Sequence, residues 1–143
     1  MKQSFTIEIL TWNHPKQSLL KAVREQVFIM EKHVPLDIEW DEHDADAIHL
    51  LALDQAQRAI GCARILESGR VGRMAVLKAW RGYGLGQALL TEAIQICRDR
   101  QMKKIMISSQ THAIPFYQKA GFVVTSEAYI DVNIWHVDMQ LNI

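Results

Sequence analysis

Nothing in this sequence runs to excess, and most of its scarcities exclude something. There are two cysteines, three prolines and seven glycines in 143 residues. Two cysteines cannot build a disulfide framework, and a core of this size does not require even one bridge. Cys62 and Cys97, each inside an apolar run, therefore read as buried thiols of a reducing compartment. So few prolines and glycines rule out collagen-like chains and Pro-rich linkers. No excess of either charge is present: 16 Lys plus Arg balance 16 Asp plus Glu. That neutrality argues against non-specific binding of DNA or RNA, though a local phosphate site is still allowed. No stretch approaches ~18 uninterrupted apolar residues. The opening MKQSFTIEIL has neither the apolar segment nor the small-residue cleavage site of a secretion signal. No membrane and a cytoplasmic location are expected. H-E-x-x-H, C-x-x-C and calcium-loop patterns are also missing, so no metal is expected.

What remains is globular composition, 49% hydrophobic and 22% charged. A chain of this length buries ~70% of its unfolded surface and holds one core, so residues 1–143 are expected to form one domain. Phe5, Ile7 and Ile9 alternate with Thr6 and Glu8 in a first strand, Phe5 to Leu10. Pro15 suits the first turn of a helix reaching about Glu31, with Asn13 or His14 as cap and Leu19, Leu20, Val23, Val27 and Met30 as its apolar stripe. Asp37 to Asp46 reads as a loop. Strands are expected at Ala47–Leu53, Ala59–Leu66, Val71–Leu77, Lys104–Ser108, Phe122–Thr125 and Val132–Met139. Helices are expected from Leu85 through Cys97 and from Ala113 to Lys119, the latter stopped by Gly121. Hairpins first and strand–helix–strand units afterwards suggest an α+β fold. Its centre would be a mixed, mostly antiparallel twisted sheet of about seven strands flanked by helices.

Arg81-Gly-Tyr-Gly-Leu-Gly86 sits between a strand and a helix. Each glycine costs a helix ~1 kcal/mol, and close backbone approach to a ligand is the usual compensation. Free N–H groups at the helix start, with Arg81 beside them, suit a pyrophosphate. A tight turn packed against the sheet is the other reading. The nucleoside-triphosphate loop requires Gly-Lys-Ser/Thr where this chain has Gly86-Gln87-Ala88, and the dinucleotide fingerprint requires a different glycine spacing.

The run resembles the signature Arg/Gln-x-x-Gly-x-Gly/Ala of the GNAT superfamily, the GCN5-related N-acetyltransferases. Arg73-Met-Ala-Val-Leu77 looks like the strand before that loop. Ala113-Ile-Pro-Phe-Tyr-Gln-Lys-Ala-Gly-Phe122 is similar to the family's A-x-x-x-Y-x-x-x-G-F segment. Val23-Arg-Glu-Gln-Val-Phe28, Val34 to Glu39 with Asp41, and Trp135-His-Val-Asp-Met139 resemble the small bacterial ElaA/YjcF branch. The resemblance implies a pantetheine arm of acetyl-CoA entering between the fourth and fifth strands. Backbone groups of Val76 and Leu77 would meet it, and the amides of Gly82, Tyr83, Gly84, Leu85 and Gly86, with Arg81, would hold the pyrophosphate. Gln110 stands where many relatives carry Asn and would reach the cofactor on a longer arm.

The implied reaction is acetyl transfer from acetyl-CoA to a primary amine by direct attack. Tyr117 would be the acid that protonates the leaving thiolate, a phenol of pKa ~10 being matched to an alkyl thiol. Glu25, Glu31, Glu39, Glu127, His112 and His136 are all competent bases, and the sequence does not choose among them. Asp37, Glu39, Asp41, Glu42, Asp44 and Asp46 would attract a cationic small-molecule or peptide amine, an ordinary solvated loop being the other reading. A non-catalytic acyl-CoA-binding or sensing module is the alternative. Monomer and homodimer are both left open.

Overall fold

The computed structural model describes residues 4–143. Among the described residues eight strands are formed: β1 Phe5–Leu10, β2 Ile48–Asp54, β3 Ala59–Ile65, β4 Val71–Val76, β5 Lys104–Gln110, β6 Val123–Val124, β7 Tyr129–Asp131 and β8 Ile134–Asn142. The α-helices are α1 Gln17–Arg24, α2 Leu36–Glu39, α3 Leu85–Asp99 and α4 Ile114–Lys119. Strands β1-β2-β3-β4 form one antiparallel sheet. In a second sheet β8 pairs with β5 along one edge and with β6 and then β7 along the other, again antiparallel. The mixed character expected of the sheet comes down to one parallel contact between the halves, Arg70 with Met106.

Period-two alternation explains the layers. Along β2, Leu50 and Ala52 join the core beneath α3, with Leu85, Leu89 and Ala93, while Leu51 and Leu53 join that beneath α1, with Leu20, Val23 and Val27. Covered on both faces, β2 and β3 are buried almost end to end. Cys62 and Cys97 are both free and buried, as composition suggests. Burial pushes the Cys62 thiol up to about 12, which leaves it inert.

Four expectations are corrected. The first helix has the expected reach, but Glu25–Glu31 is π-helical, with Lys32 N–H donating to Val27 O. The wider turn breaks the 3.6-residue stripe, and Met30 ends up 67% exposed. Neither Asn13 nor His14 caps the helix in the usual sense, although His14 Nδ1 accepts from Lys16 N–H at 3.0 Å. The acidic run is not a plain loop, since it folds as α2 and a 3₁₀ turn, Glu42–Asp46, capped by Asp41. Finally, Val132 lies in a turn rather than a strand. It and Asn133 have φ of 47° and 62°, the two-residue turn of a β7–β8 hairpin that adds an eighth strand.

Candidate active site

Strands β4 and β5 run parallel yet belong to different sheets. They meet at one end, through Arg70–Met106 and the 3.0 Å bond from Met106 N–H to Gly69 O. Beyond it a cleft of about 710 Å³ opens, walled by Met74, Ala75 and Val76 of β4, Ser108 and Gln110 of β5, Tyr117 of α4, and Val27 and Phe28 of the π-helical segment. A bulge shapes the β4 wall: Cys62 pairs with Ala75 but Arg64 with Gly72, and the extra residue brings Arg73 to φ 45°. Leu77 N–H donates to Ile60 O of β3 at 2.9 Å. Alternation along the strand therefore turns the Val76 N–H away from β3 and towards the cleft.

The glycine-rich loop begins at Arg81, which lines the cleft. Gly82 and Gly84 have φ of 87° and 83°, and a Cβ on either would meet nothing within 4 Å. Those two glycines serve backbone conformation, not packing against the sheet. The first helical bond of α3 comes from Ala88 N–H to Gly84 O. The amides before it have no intrahelical acceptor and leave a partial positive charge at the helix start. Of the residues assigned there by resemblance, Arg81 is already engaged. Its guanidinium pairs both oxygens of Glu31 at 2.8 Å, and its Nε donates to Val76 O at 3.0 Å. Arg81 in turn holds the Glu31 carboxyl below the usual range. Leu77 is engaged too, because its carbonyl receives Trp80 N–H at 2.8 Å. Tyr83 is exposed, against Trp80.

Gly84→Val should show what the loop is for. A β-branched residue at this φ costs ~1–3 kcal/mol, and the loop relaxes by turning its amides. CoA affinity by isothermal titration is expected to fall ~10-fold or more, since 1.4 kcal/mol is one decade. Unchanged affinity in the folded variant would remove the loop from the binding site.

Tyr117 lies in the cleft wall with its ring fixed edge-on between Phe116 and Phe122. Burial holds its phenol above 10 and thus protonated. Of the six candidate bases, Glu39, His112 and His136 line the cleft, whereas Glu25, Glu31 and Glu127 do not. Gln110 lines it at the end of β5.

Glu39 is committed elsewhere. Arg24, 1% exposed, donates Nε to Glu39 at 2.6 Å and Nη1 to Asp44 at 2.7 Å. Arg64 bridges Asp41 and Asp44 at 2.7 and 3.0 Å, and Arg73 reaches Glu39 and Asp41 at 3.2 and 3.1 Å. Three arginines thus neutralise three of the six carboxylates of the acidic run; Asp37, Glu42 and Asp46 remain exposed. Burial pushes the Glu39 carboxyl up despite Arg24 and Arg73. Burial also opposes the charged form of Asp44, but hydrogen bonds from Arg24 and Arg64 outweigh it and hold that carboxyl low.

His49 closes this network from beneath, with Nε2 2.9 Å from Asp44 O and its ring 4.9 Å from that of Trp12. Burial holds its imidazole below the ordinary 6.5, so the folded protein keeps it neutral. Below that value the unfolded chain binds the proton more readily. His49's contribution to stability is therefore complete above about pH 6.5 and declines as pH falls. Urea midpoints should drop between about pH 7 and pH 5.5, and His49→Gln should flatten the slope. An unchanged slope would assign it to another group.

One cluster went unread in the sequence. Tyr129 OH donates to Asp138 Oδ1 at 2.7 Å and contacts Ser108 Oγ, and all three residues line the cleft. The only signal, Ser108 opposite Asp138, requires the β5–β8 register.

The domain model described as "Acetyltransferase (GNAT) domain" matches residues 16–143. The chain belongs to the GNAT acetyltransferase family. This GNAT protein is similar to YjcF of Bacillus subtilis, named an uncharacterized N-acetyltransferase, at 32% identity over 82% of this chain and 86% of that protein. It is 31% identical to ElaA of Escherichia coli over 84% and 83% of the two sequences. The crystal structure of ElaA superposes with a TM-score of 0.86 over 96% of this chain and 99% of that one, at 26% identity. An acyl-CoA N-acyltransferase of Pseudomonas aeruginosa gives a TM-score of 0.84 at 27% identity over 96% and 99%. The GNAT fold typically binds acetyl-CoA. The residues present here fit it, because the open glycine loop supplies unpaired amides and the cleft beside it runs between two strand edges. Among the described residues no group of His, Cys, Asp or Glu is placed to hold a metal, and no helix is long and apolar enough to cross a membrane.

Proposed function

We propose that the protein transfers the acetyl group of acetyl-CoA to the primary amine of a small molecule or peptide, by direct attack with both substrates bound. The observation that supports this reading is the cleft itself, which is lined by a protonated Tyr117 and by Val76 with its inward N–H, and which includes Arg81, the residue that leads into the unpaired amides before α3. The donor supplies an activated acyl carbon. The loop amides would hold its pyrophosphate, as in anion binding at helix starts. The Val76 N–H would polarise the thioester carbonyl. Tyr117 would give its proton to the departing sulfur, and the walls of the cleft would orient the amine.

A cationic acceptor is part of the proposal, supported by Asp37, Glu42 and Asp46, which stand exposed, Asp37 next to Ile38 and Glu39 of the cleft wall. The pairing of Asp41 and Asp44 with arginine takes those two out of the argument. Thioester consumption should be followed with a diamine, an arylalkylamine, an amino acid and a lysine-containing peptide. Turnover is expected, with a KM for the cationic amine that rises with salt as screening shortens to ~8 Å. CoA binding without turnover would instead favour a sensing module, and turnover indifferent to salt would sink the cationic preference.

A further inference from the structure

Direct attack leaves a proton on the acceptor nitrogen, and something in the cleft must take it. Of the six bases suggested by sequence, Glu25, Glu31 and Glu127 do not line the cleft, Glu39 is bound to two arginines, and His112 stands exposed on the turn after β5. His136 has its Nδ1 against Ile134 O at 2.7 Å. The opposite wall offers a better-built path. Ser108 and Asp138 face one another on β5 and β8, and Tyr129, on the short strand beyond β8, spans them. The Tyr129 ring is held by stacking on His136, with centroids 6.0 Å apart at 19°. Asp138 is itself anchored, its N–H donating to Ser126 Oγ at 2.8 Å.

The hydrogen-bond direction is fixed by counting protons. A phenol has one, and that of Tyr129 points to Asp138. In the contact between Ser108 and Tyr129 the serine must therefore donate, and its own lone pairs remain turned to the cleft, where Ser108 is exposed. Each hydroxyl thus donates inwards and ends at a carboxylate that is half-buried.

We propose that Ser108, Tyr129 and Asp138 form a proton relay that carries the acceptor's proton away from the reaction. The inference rests on the acetyl-transfer reading and adds to it the missing base. As the C–N bond forms and the C–S bond breaks, the nitrogen passes one proton to Ser108 Oγ. Ser108 passes its own to Tyr129, and Tyr129 passes its own to Asp138. Tyr117 protonates the sulfur, so the amide and the free thiol leave neutral. Asp138 then releases its proton to water, and water restores that of Tyr117. A carboxylate is too weak a base to strip a free ammonium efficiently. A nitrogen already bonded to the acyl carbon is far more acidic, and this is the stage at which the relay acts.

The test uses the full chain, acetyl-CoA and whichever amine of the panel turns over. Tyr129→Phe keeps the stacked ring and removes the middle oxygen; Asp138→Asn keeps the shape and removes the terminal acceptor. Each is expected to lower kcat ~10²-fold, with KM for acetyl-CoA and Kd for CoA unchanged. The double variant should be no worse than either single one, because links of one chain do not add. Ser108→Ala, at an exposed position, serves as a third arm should Asp138→Asn fold poorly. The relay is overturned if Tyr129→Phe keeps kcat to within about twofold, or if the losses multiply in the double variant. A wild-type protein that turns over no amine overturns the acetyl-transfer reading and the relay together. Turnover that the variants leave intact overturns the relay alone.

Discussion

Arg24→Ala should cost the protein ~3 kcal/mol of unfolding free energy, because it takes the shortest ion pairs from two buried acids and leaves Glu39 only Arg73 at 3.2 Å and Asp44 only Arg64 at 3.0 Å. Both acids are 2% exposed, and Arg24 gives them hydrogen bonds of 2.6 and 2.7 Å while lying 4.9 Å from the Trp40 ring. The cost is large beside the ~5–15 kcal/mol that holds an ordinary domain together. In a domain of this size it amounts to roughly 10 °C in Tm. Arg24→Lys should be intermediate, since an ammonium keeps the charge but not the planar fork that reaches Glu39 Oε2, Glu39 O and Asp44 at once. Replacing Arg24, Glu39 and Asp44 together with apolar or amide residues should recover part of the loss, because the buried acids leave with their cation while Arg64 and Arg73 keep Asp41. Urea denaturation of the set is the measurement. An Arg24→Ala variant within about 1 kcal/mol of wild type would reduce the network to the rank of a surface pair.

Tyr117→Phe is expected to lower kcat ~10²-fold while leaving CoA affinity in place. One hydroxyl is removed, and the ring contacts with Phe116 and Phe122 persist. The phenol must be protonated to act, and burial keeps its pKa above the ordinary 10. The wild-type rate should therefore hold through neutral pH and fall only on the far alkaline side, a limb that Tyr117→Phe lacks. Matching losses in kcat and CoA binding would mean that Tyr117 positions the substrate and does not protonate the sulfur. No loss in either would leave it as packing.

Local signals carried well. The glycine spacing between a strand and a helix announced an open turn because φ near 85° at Gly82 and Gly84 is a backbone matter that residue type alone reports. The alternation of β2 and the repeat of Leu85, Leu89 and Ala93 read directly as core. Pairing between distant elements was not legible. The acidic run looked solvated because its partners, Arg24, Arg64 and Arg73, come from a helix and two strands far along the chain. β7 is three residues long with Ile130 59% exposed, so it has no hydrophobic pattern to announce it. Without β7 there is no reason to bring Tyr129 near Asp138. The shift into π-helix was hidden for a similar reason, since it depends on what the wider turn packs against.

The parting of β4 from β5 has a consequence for the protein's behaviour in solution. Each strand offers the gap an edge of unpaired peptide groups, and exposed edges of this kind recruit strands from other molecules. Here the two edges face each other in a recess pinned shut at Gly69 and Met106. A narrow, flexible chain can thread such a slot, whereas a foreign strand arriving with its own sheet is blocked by the walls. Catalytic access and protection from aggregation are thus provided by one cut in the sheet, and whatever fills it caps both edges together.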